Sequence, residues 1–159
     1  MDVLKKIRNY TLNERHCLGE GSFGKVYEAT SDEGRKVAIK KVDQKLIISD
    51  KYLKESLDNE ISIMQKLRHP NIVELYEVIT TANNIYLVME FCSGGDLKRY
   101  CSTRKINEEM ALKIVTQIVK GFEEMVKFGI IHRDLKPANI LVDKDCFKIC
   151  DFGFAKLFG

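Results

Sequence analysis

Residues Ile131–Asp151 read I-H-R-D-L-K-P-A-N-I-L-V-D-K-D-C-F-K-I-C-D, and the rest of the chain takes its meaning from them. Asp134 and Asn139 stand in a D-x-x-x-x-N spacing with Lys136 between them, and Asp151 follows two short apolar runs. Two carboxylates, an amide and an amine form a donor set suited to a polyphosphate held by a divalent ion. A hard cation such as Mg²⁺ takes oxygen ligands, and a lysine offers positive charge to phosphate. One carboxylate is then left to orient a nucleophile.

Bulk properties narrow the alternatives. A length of 159 residues fits one domain with room for a sizeable core. The net charge of +3 has no concentrated basic block behind it, which argues against nucleic-acid or membrane-surface binding. Apolar runs such as Ile85–Met89 fall far short of the roughly 18 residues that span a bilayer. The opening M-D-V-L-K-K-I-R-N-Y lacks the apolar centre of a signal peptide, so a cytoplasmic location is the expectation. Cys17, Cys92, Cys101, Cys146 and Cys150 are odd in number and hold no C-x-x-C pair. That disfavours a disulfide framework or a zinc site, and most are expected to be small buried apolar groups.

Toward the N-terminus, L-G-E-G-S-F-G-K-V (Leu18–Val26) admits three readings. A dinucleotide fingerprint G-x-G-x-x-G should open a helix, but V-Y-E-A-T follows, with β-branched and aromatic residues. A Walker A loop should have Ser or Thr after Lys25, where Val26 stands. The third reading is a β-hairpin lid whose glycines let backbone N–H groups approach phosphates. Lys36–Val42 then reads as a strand, with Ala38 and Lys40 on one face and Val37, Ile39 and Lys41 on the other. Leu53, Leu57, Ile61 and Met64 mark a helix from about Asp50 to Leu67. Leu75–Thr80 and Ile85–Phe91 are predicted strands. Asn107–Phe128 is predicted as a helix with Ala111, Ile114 or Val115, Ile118, Phe122 and Met125 inward, closed by Gly129.

With I-H-R-D-L-K-P-A-N-I at Ile131–Ile140 and D-F-G at Asp151–Gly153, the chain resembles a eukaryotic protein kinase. H-R-D-L-K-P-A-N is similar to the serine/threonine class. The wording T-A-N-N-I-Y-L-V-M-E-F-C-S-G-G-D-L and D-F-G-F-A-K further resembles the unc-51-like, autophagy-initiating branch, with calcium/calmodulin-type and NIMA-related kinases using similar wording. The resemblance runs from about Tyr10 to Gly159. It implies an α+β, bilobal kinase-like fold. The N-lobe, about 10–91, would be an antiparallel sheet with helix C; an incomplete, mainly helical C-lobe would occupy about 92–159.

The resemblance also implies roles. Asp134 would orient the acceptor hydroxyl, Lys136 would steady the transferring phosphate, and Asn139 and Asp151 would hold Mg²⁺. Lys40, anchored by Glu60, would hold the ATP phosphates, leaving Lys41 as a solvated surface lysine. Gly19, Glu20, Gly21, Ser22, Phe23, Gly24 and Lys25 would form the lid. Leu18, Val26, Ala38 and Leu141 would enclose the purine, and Glu90 and Cys92 would contact adenine before Met89. Asp96 would face the ribose or cap a helix. His69 is expected to be structural, and His132 and Phe152 packing elements, with Met64 and Leu75 continuing that stack. Arg133 resembles an arginine that pairs with a phosphorylated activation loop.

The sequence ends six residues after D-F-G, without an A-P-E motif. Two expectations follow: weak ATP binding by these residues alone, and an uncovered apolar stripe on the Asn107–Phe128 helix. The functional expectation is ATP-dependent phosphoryl transfer to Ser or Thr hydroxyls of a protein substrate, with a regulatory protein as a further partner. The alternative is a catalytically impaired nucleotide- or protein-binding module.

Overall fold

Strand-forming segments rich in Val, Ile and Tyr make up the first half of the chain, and the computed structural model describes residues 4–158. Gly159, the last residue of the expected domain, lies outside them, as do the first three residues of the N-terminal stretch read above. The strands are β1 (Leu4–Ile7), β2 (Tyr10–Glu20), β3 (Lys25–Ser31), β4 (Lys36–Asp43), β5 (Leu75–Thr80) and β6 (Asn84–Glu90). They form one antiparallel sheet in the order β1-β2-β3-β4-β6-β5. Between β4 and β5 come α1 (Gln44–Ser49) and α2 (Lys51–Lys66). Asp43 caps the first through the Lys45 N–H, and Asp50 starts the second by accepting from the N–H of Tyr52 at 2.9 Å.

The second half contains α3 (Leu97–Thr103), α4 (Glu108–Lys127), β7 (Ile130–Ile131), a 3-10 turn at Pro137–Asn139, β8 (Ile140–Asp143), β9 (Cys146–Ile149) and β10 (Lys156–Leu157). The architecture is a mixed α+β one, as expected. The chain divides into two compact units. One takes in the residues up to Asp58 with Leu75–Phe91; the other takes in Asn59–Glu74 with the residues from Cys92 onward.

In the first unit, Leu12, Ala29, Val37, Ile39, Ile79 and Val88 pack into one core, partly walled by Tyr10, Tyr27 and Tyr76. Register sets the other face. Val26 lies opposite Lys40, Ala38 opposite Met89, and Lys40 opposite Leu87, so Ala38 and Lys40 do share a side. Lys41, expected to be solvated, is instead half-buried on the core side. Its amine donates to Glu14 Oε1 at 2.6 Å, which replaces the water it would otherwise need.

That pair has a measurable pH signature. The Lys41 hydrogen bond holds the Glu14 carboxyl below its ordinary value, and the same bond raises the Lys41 amine. Glu14 therefore contributes stability above the unfolded carboxylate value of about 4.3, and loses it as pH falls through its lower folded value. Lys41 contributes below about 10.4 and loses its share only as pH rises through its higher folded value. Glu14→Gln is expected to lower stability by about 0.5–1 kcal/mol at neutral pH and by less in acid. Urea melts at pH 3 and pH 7 check the difference; equal losses at both would reject it.

In the second unit, the buried helical stripe of α2 passes through Glu60, Ile63, Met64 and the following Leu67, with Ile61 only half-buried. Along α4 the inward face includes Ile114, Gly121 and Met125, with Ile118 half-buried; of the alternatives Ile114 and Val115 it is Ile114 that turns inward, and Ala111 and Phe122 face out. Close approach at Gly121 sets this rotation. A Cβ there would sit 2.8 Å from the Asn71 carbonyl oxygen. The expected uncovered stripe is present: Leu112, Val115, Val119, Phe122 and Val126 are all exposed. Gly129 ends the helix in the left-handed region at φ 66°, its N–H donating to the Val126 carbonyl.

Asn71 holds the interior of this unit together. Its Nδ2 donates to Gln117 Oε1 on α4 and to the Phe147 carbonyl on β9, both at 2.9 Å. Its carbonyl accepts from the Ile149 N–H, and its own N–H donates to His69 Nδ1 at 3.0 Å. His69 is thus structural. The cysteines depart from expectation: Cys17, Cys101 and Cys146 are exposed, and Cys92 and Cys150 are half-buried. Cys17 and Cys146 sit on strands with an open side, and Cys101 lies on the outer face of short α3.

Candidate active site

The first unit carries the glycine-rich turn and Lys40. Between β2 and β3 the turn closes with the Gly21 N–H donating to the Gly24 carbonyl at 2.8 Å. Lys40 lies beneath it and is buried; a Cβ on Gly21 would come within 2.7 Å of its Cε. A Cβ on Gly24 would fall 2.0 Å from the Lys41 carbonyl oxygen, whereas one on Gly19 would meet nothing within 4 Å. The three glycines therefore separate by experiment. Gly24→Ala is expected to reduce stability by about 1–3 kcal/mol, because backbone must shift. Gly19→Ala should stay within about 0.5 kcal/mol. Gly21→Ala meets only the flexible end of Lys40, so it should leave the fold while displacing the amine. Chemical denaturation ranks the three, and a Gly19→Ala loss equal to that of Gly24→Ala would contradict the geometry.

Leu18 is exposed, Val26 half-buried and Ala38 buried, so the apolar walls expected around a purine range from open to closed. Glu20 and Lys25, paired across the mouth of the turn, and Ser22 and Phe23 at its tip complete the expected lid. Glu90 ends β6 opposite Val37, and Met89 is buried beside Ala38.

The second unit carries the Asp134–Asn139 loop and Asp151. Asp134 and Asn139 are locked together, for Asn139 Nδ2 donates both to the Asp134 carbonyl at 2.8 Å and to its Oδ2 at 3.0 Å. Lys136 Nζ stands 3.5 Å from Asp134 Oδ1 with its own side chain half exposed. The 3-10 turn started by Pro137 folds the loop back, which makes the five-residue spacing an actual contact. His132 is buried. Its Nε2 bonds the Cys150 carbonyl at 2.8 Å, its Nδ1 accepts from the Asp134 N–H at 3.2 Å, and its ring meets Phe152 edge-on at 5.2 Å. Both nitrogens are engaged, so it orients the loop and does not serve as a base.

Arg133 and Asp151 hold φ values of 67° and 58°, the left-handed region that side chains other than glycine rarely occupy. Such strain marks positions that the surroundings over-determine. Asp151 Oδ1 accepts from the Gly153 N–H at 3.2 Å. Beyond it the chain is tied down repeatedly. Arg133 Nε donates to the Phe154 carbonyl, Asn59 Nδ2 to the Ala155 carbonyl, and β10 pairs with β7.

Other expected residues fall into place locally. Glu60 is buried on α2, and Cys92 starts the segment that leads to α3. Asp96 caps α3, accepting from the Arg99 N–H at 2.9 Å, and bridges to Leu141 on β8. Asn139 and Asp151 present hard oxygen donors of the kind Mg²⁺ prefers. The Asn139 amide nitrogen is committed to Asp134, which turns its amide oxygen the other way.

The protein kinase domain family matches residues 12–159 of this sequence. The chain belongs to the protein kinase family. Among curated kinases, the hormonally up-regulated neu tumor-associated kinase of Mus musculus is 40% identical over 158 residues, 98% of this chain and 22% of that protein. CBL-interacting serine/threonine-protein kinase 15 of Arabidopsis thaliana is 45% identical over 142 residues, 88% of this chain and 34% of that protein. CBL-interacting protein kinase 28 of Oryza sativa subsp. japonica is 42% identical over the same length, 32% of that protein. The chain thus spans about a third or less of these kinases. The kinase motifs did not single out Asn71, Gln117 or Asn59; an amide inside the apolar run around Ile72 is the only sequence signal of the first.

Proposed function

We propose that this chain carries the ATP-dependent phosphoryl-transfer apparatus of a serine/threonine protein kinase. The observation that supports it most is the Asp134–Lys136–Asn139 clamp. Asp134 is held with one carboxylate oxygen on Asn139 and the other near Lys136, placed to orient an acceptor hydroxyl and take its proton late. Lys136 meets charge on the transferring phosphoryl group, and Lys40 under the glycine turn meets the α- and β-phosphates. Asn139 and Asp151 would hold Mg²⁺, which supplies charge neutralisation when bound. Positioning and electrostatics carry the chemistry, with no covalent enzyme intermediate.

The serine/threonine assignment draws on H-R-D-L-K-P-A-N and on the name of the Arabidopsis relative. A regulatory protein partner belongs to the same reading, since two relatives are named CBL-interacting. The unc-51-like assignment is supported by the wording of Thr81–Leu97 and Asp151–Lys156 alone. A second reading, a binding module with little catalysis, draws on the exposed apolar residues of α4.

Incubation with γ-labelled ATP and a serine peptide discriminates. Transfer should require Mg²⁺ and disappear on chelation with EDTA. Absence of transfer at every Mg²⁺ concentration, with peptide binding retained, would favour the binding module.

A further inference from the structure

A cavity of about 380 Å³ lies over α3 in the second unit, lined by Ser93, Gly94, Gly95, Arg99, Tyr100, Thr103 and Arg104. No acidic side chain lines it. Asp96 accepts from the Arg99 N–H, and Asp143 accepts from the hydroxyl of Ser93, each bonding to a residue of the lining. Among the described residues no carboxylate pairs with either arginine. The Thr103 hydroxyl donates to the Arg99 carbonyl at 3.0 Å. The charged side chains of the lining are those of Arg99 and Arg104, beside Tyr100.

These donors stand on a firm base. The Arg104 guanidinium lies 4.3 Å from the centre of the Tyr100 ring, and Tyr100 meets the buried Phe147 edge-on at 5.5 Å. A stacked arginine on an anchored ring needs little further ordering to bind an anion. The floor is equally fixed. Gly94 donates its N–H to the Val142 carbonyl and Gly95 accepts from the Val142 N–H, both at 2.8 Å. Helix α3 in turn packs on the turn at Pro137–Asn139, directly after Asp134 and Lys136.

We propose that this cavity is a specificity subsite that takes a carboxylate or phosphate side chain of the peptide to be phosphorylated. Two arginines in a lining that contains no carboxylate suit the planar, bidentate recognition of such groups. The cleft sits on α3, the helix that packs against the turn following Asp134 and Lys136, which places it beside the loop that would hold the acceptor. The inference rests on the phosphoryl-transfer reading and adds a substrate class to it: acceptors flanked by an acidic or already phosphorylated residue.

Fluorescence polarisation on the 159-residue chain tests this without ATP. The probes are serine peptides of one length carrying Asp, phosphoserine or Ala at the flanking position, with inorganic phosphate as competitor. Anionic peptides should bind about 10-fold or more tightly than the Ala peptide. Arg99→Gln with Arg104→Gln should erase that preference, while Lys98→Gln, outside the cavity, should keep it. Equal binding of all three peptides, or a preference that survives the double variant, overturns the proposal. So does inorganic phosphate binding as tightly as the peptides, which marks a simple ion site. The Asp and phosphoserine arms show which anion is preferred. Anionic preference without phosphoryl transfer would count against the proposed catalysis alone; transfer without preference would count against the subsite alone.

Discussion

Asp134→Asn is expected to lower the rate of phosphoryl transfer by about 10²–10⁴-fold while leaving the fold intact. The two halves of this expectation have separate causes. An amide cannot accept the proton of the incoming hydroxyl, so the loss appears in kcat. The fold survives because Asn139 still donates to the main-chain carbonyl of residue 134 at 2.8 Å, and a new amide oxygen can replace Oδ2 as acceptor. The contact with Lys136, at 3.5 Å on a half-exposed side chain, contributes little to stability. Steady-state rates with a serine peptide, paired with thermal melts, measure both. A variant that transfers phosphate within threefold of the parent would remove Asp134 from the mechanism.

Asn71→Ala should do the reverse and destabilise the second unit by about 2–4 kcal/mol. The side chain joins α4 to β9 through two bonds of 2.9 Å, and its loss leaves the buried Phe147 carbonyl without its amide donor. Gln117 would keep only its bond from the Phe147 N–H at Oε1 and its own donation to the Asp145 carbonyl. Against a typical total of about 5–15 kcal/mol, that is a large share. Asn71→Asp is expected to be no better, because a carboxylate presents only acceptors to two acceptors. Urea denaturation followed by circular dichroism reads the loss. An Asn71→Asp midpoint equal to the parent would show that the amide donors do not matter.

The strands and main helices were legible because their apolar periods are strong and their ends carry punctuation. The helices α2 and α4 begin at the expected Asp50 and Asn107, each of which turns out to accept from N–H groups of the first turn, and Gly129 ends α4. Strand parity put Lys40 and Lys41 on opposite faces, as β4 has them, yet it could not show that Lys41 would find Glu14, 27 residues away in sequence. Likewise the apolar width of α4 was visible, while its rotation depended on what Gly121 allows it to approach. Motif spacing identified Asp134 and Asn139, which the loop does bring into contact. Asn71 was opaque for the same reason as Lys41, since its value lies in partners 46 and 76 positions further on. The early strand β1 has only four residues, too short for a period to declare itself.

The ties beyond Asp151 have a mechanical consequence. With Asn59 gripping Ala155 at 2.8 Å and Arg133 gripping Phe154 at 2.7 Å, α2 and the catalytic loop each have a hand on the same short peptide. A turn of α2 about its own axis would therefore tug on the acid four residues upstream of Ala155. Two hydrogen bonds thus couple that helix and the loop to the peptide that carries Asp151, the metal ligand proposed above.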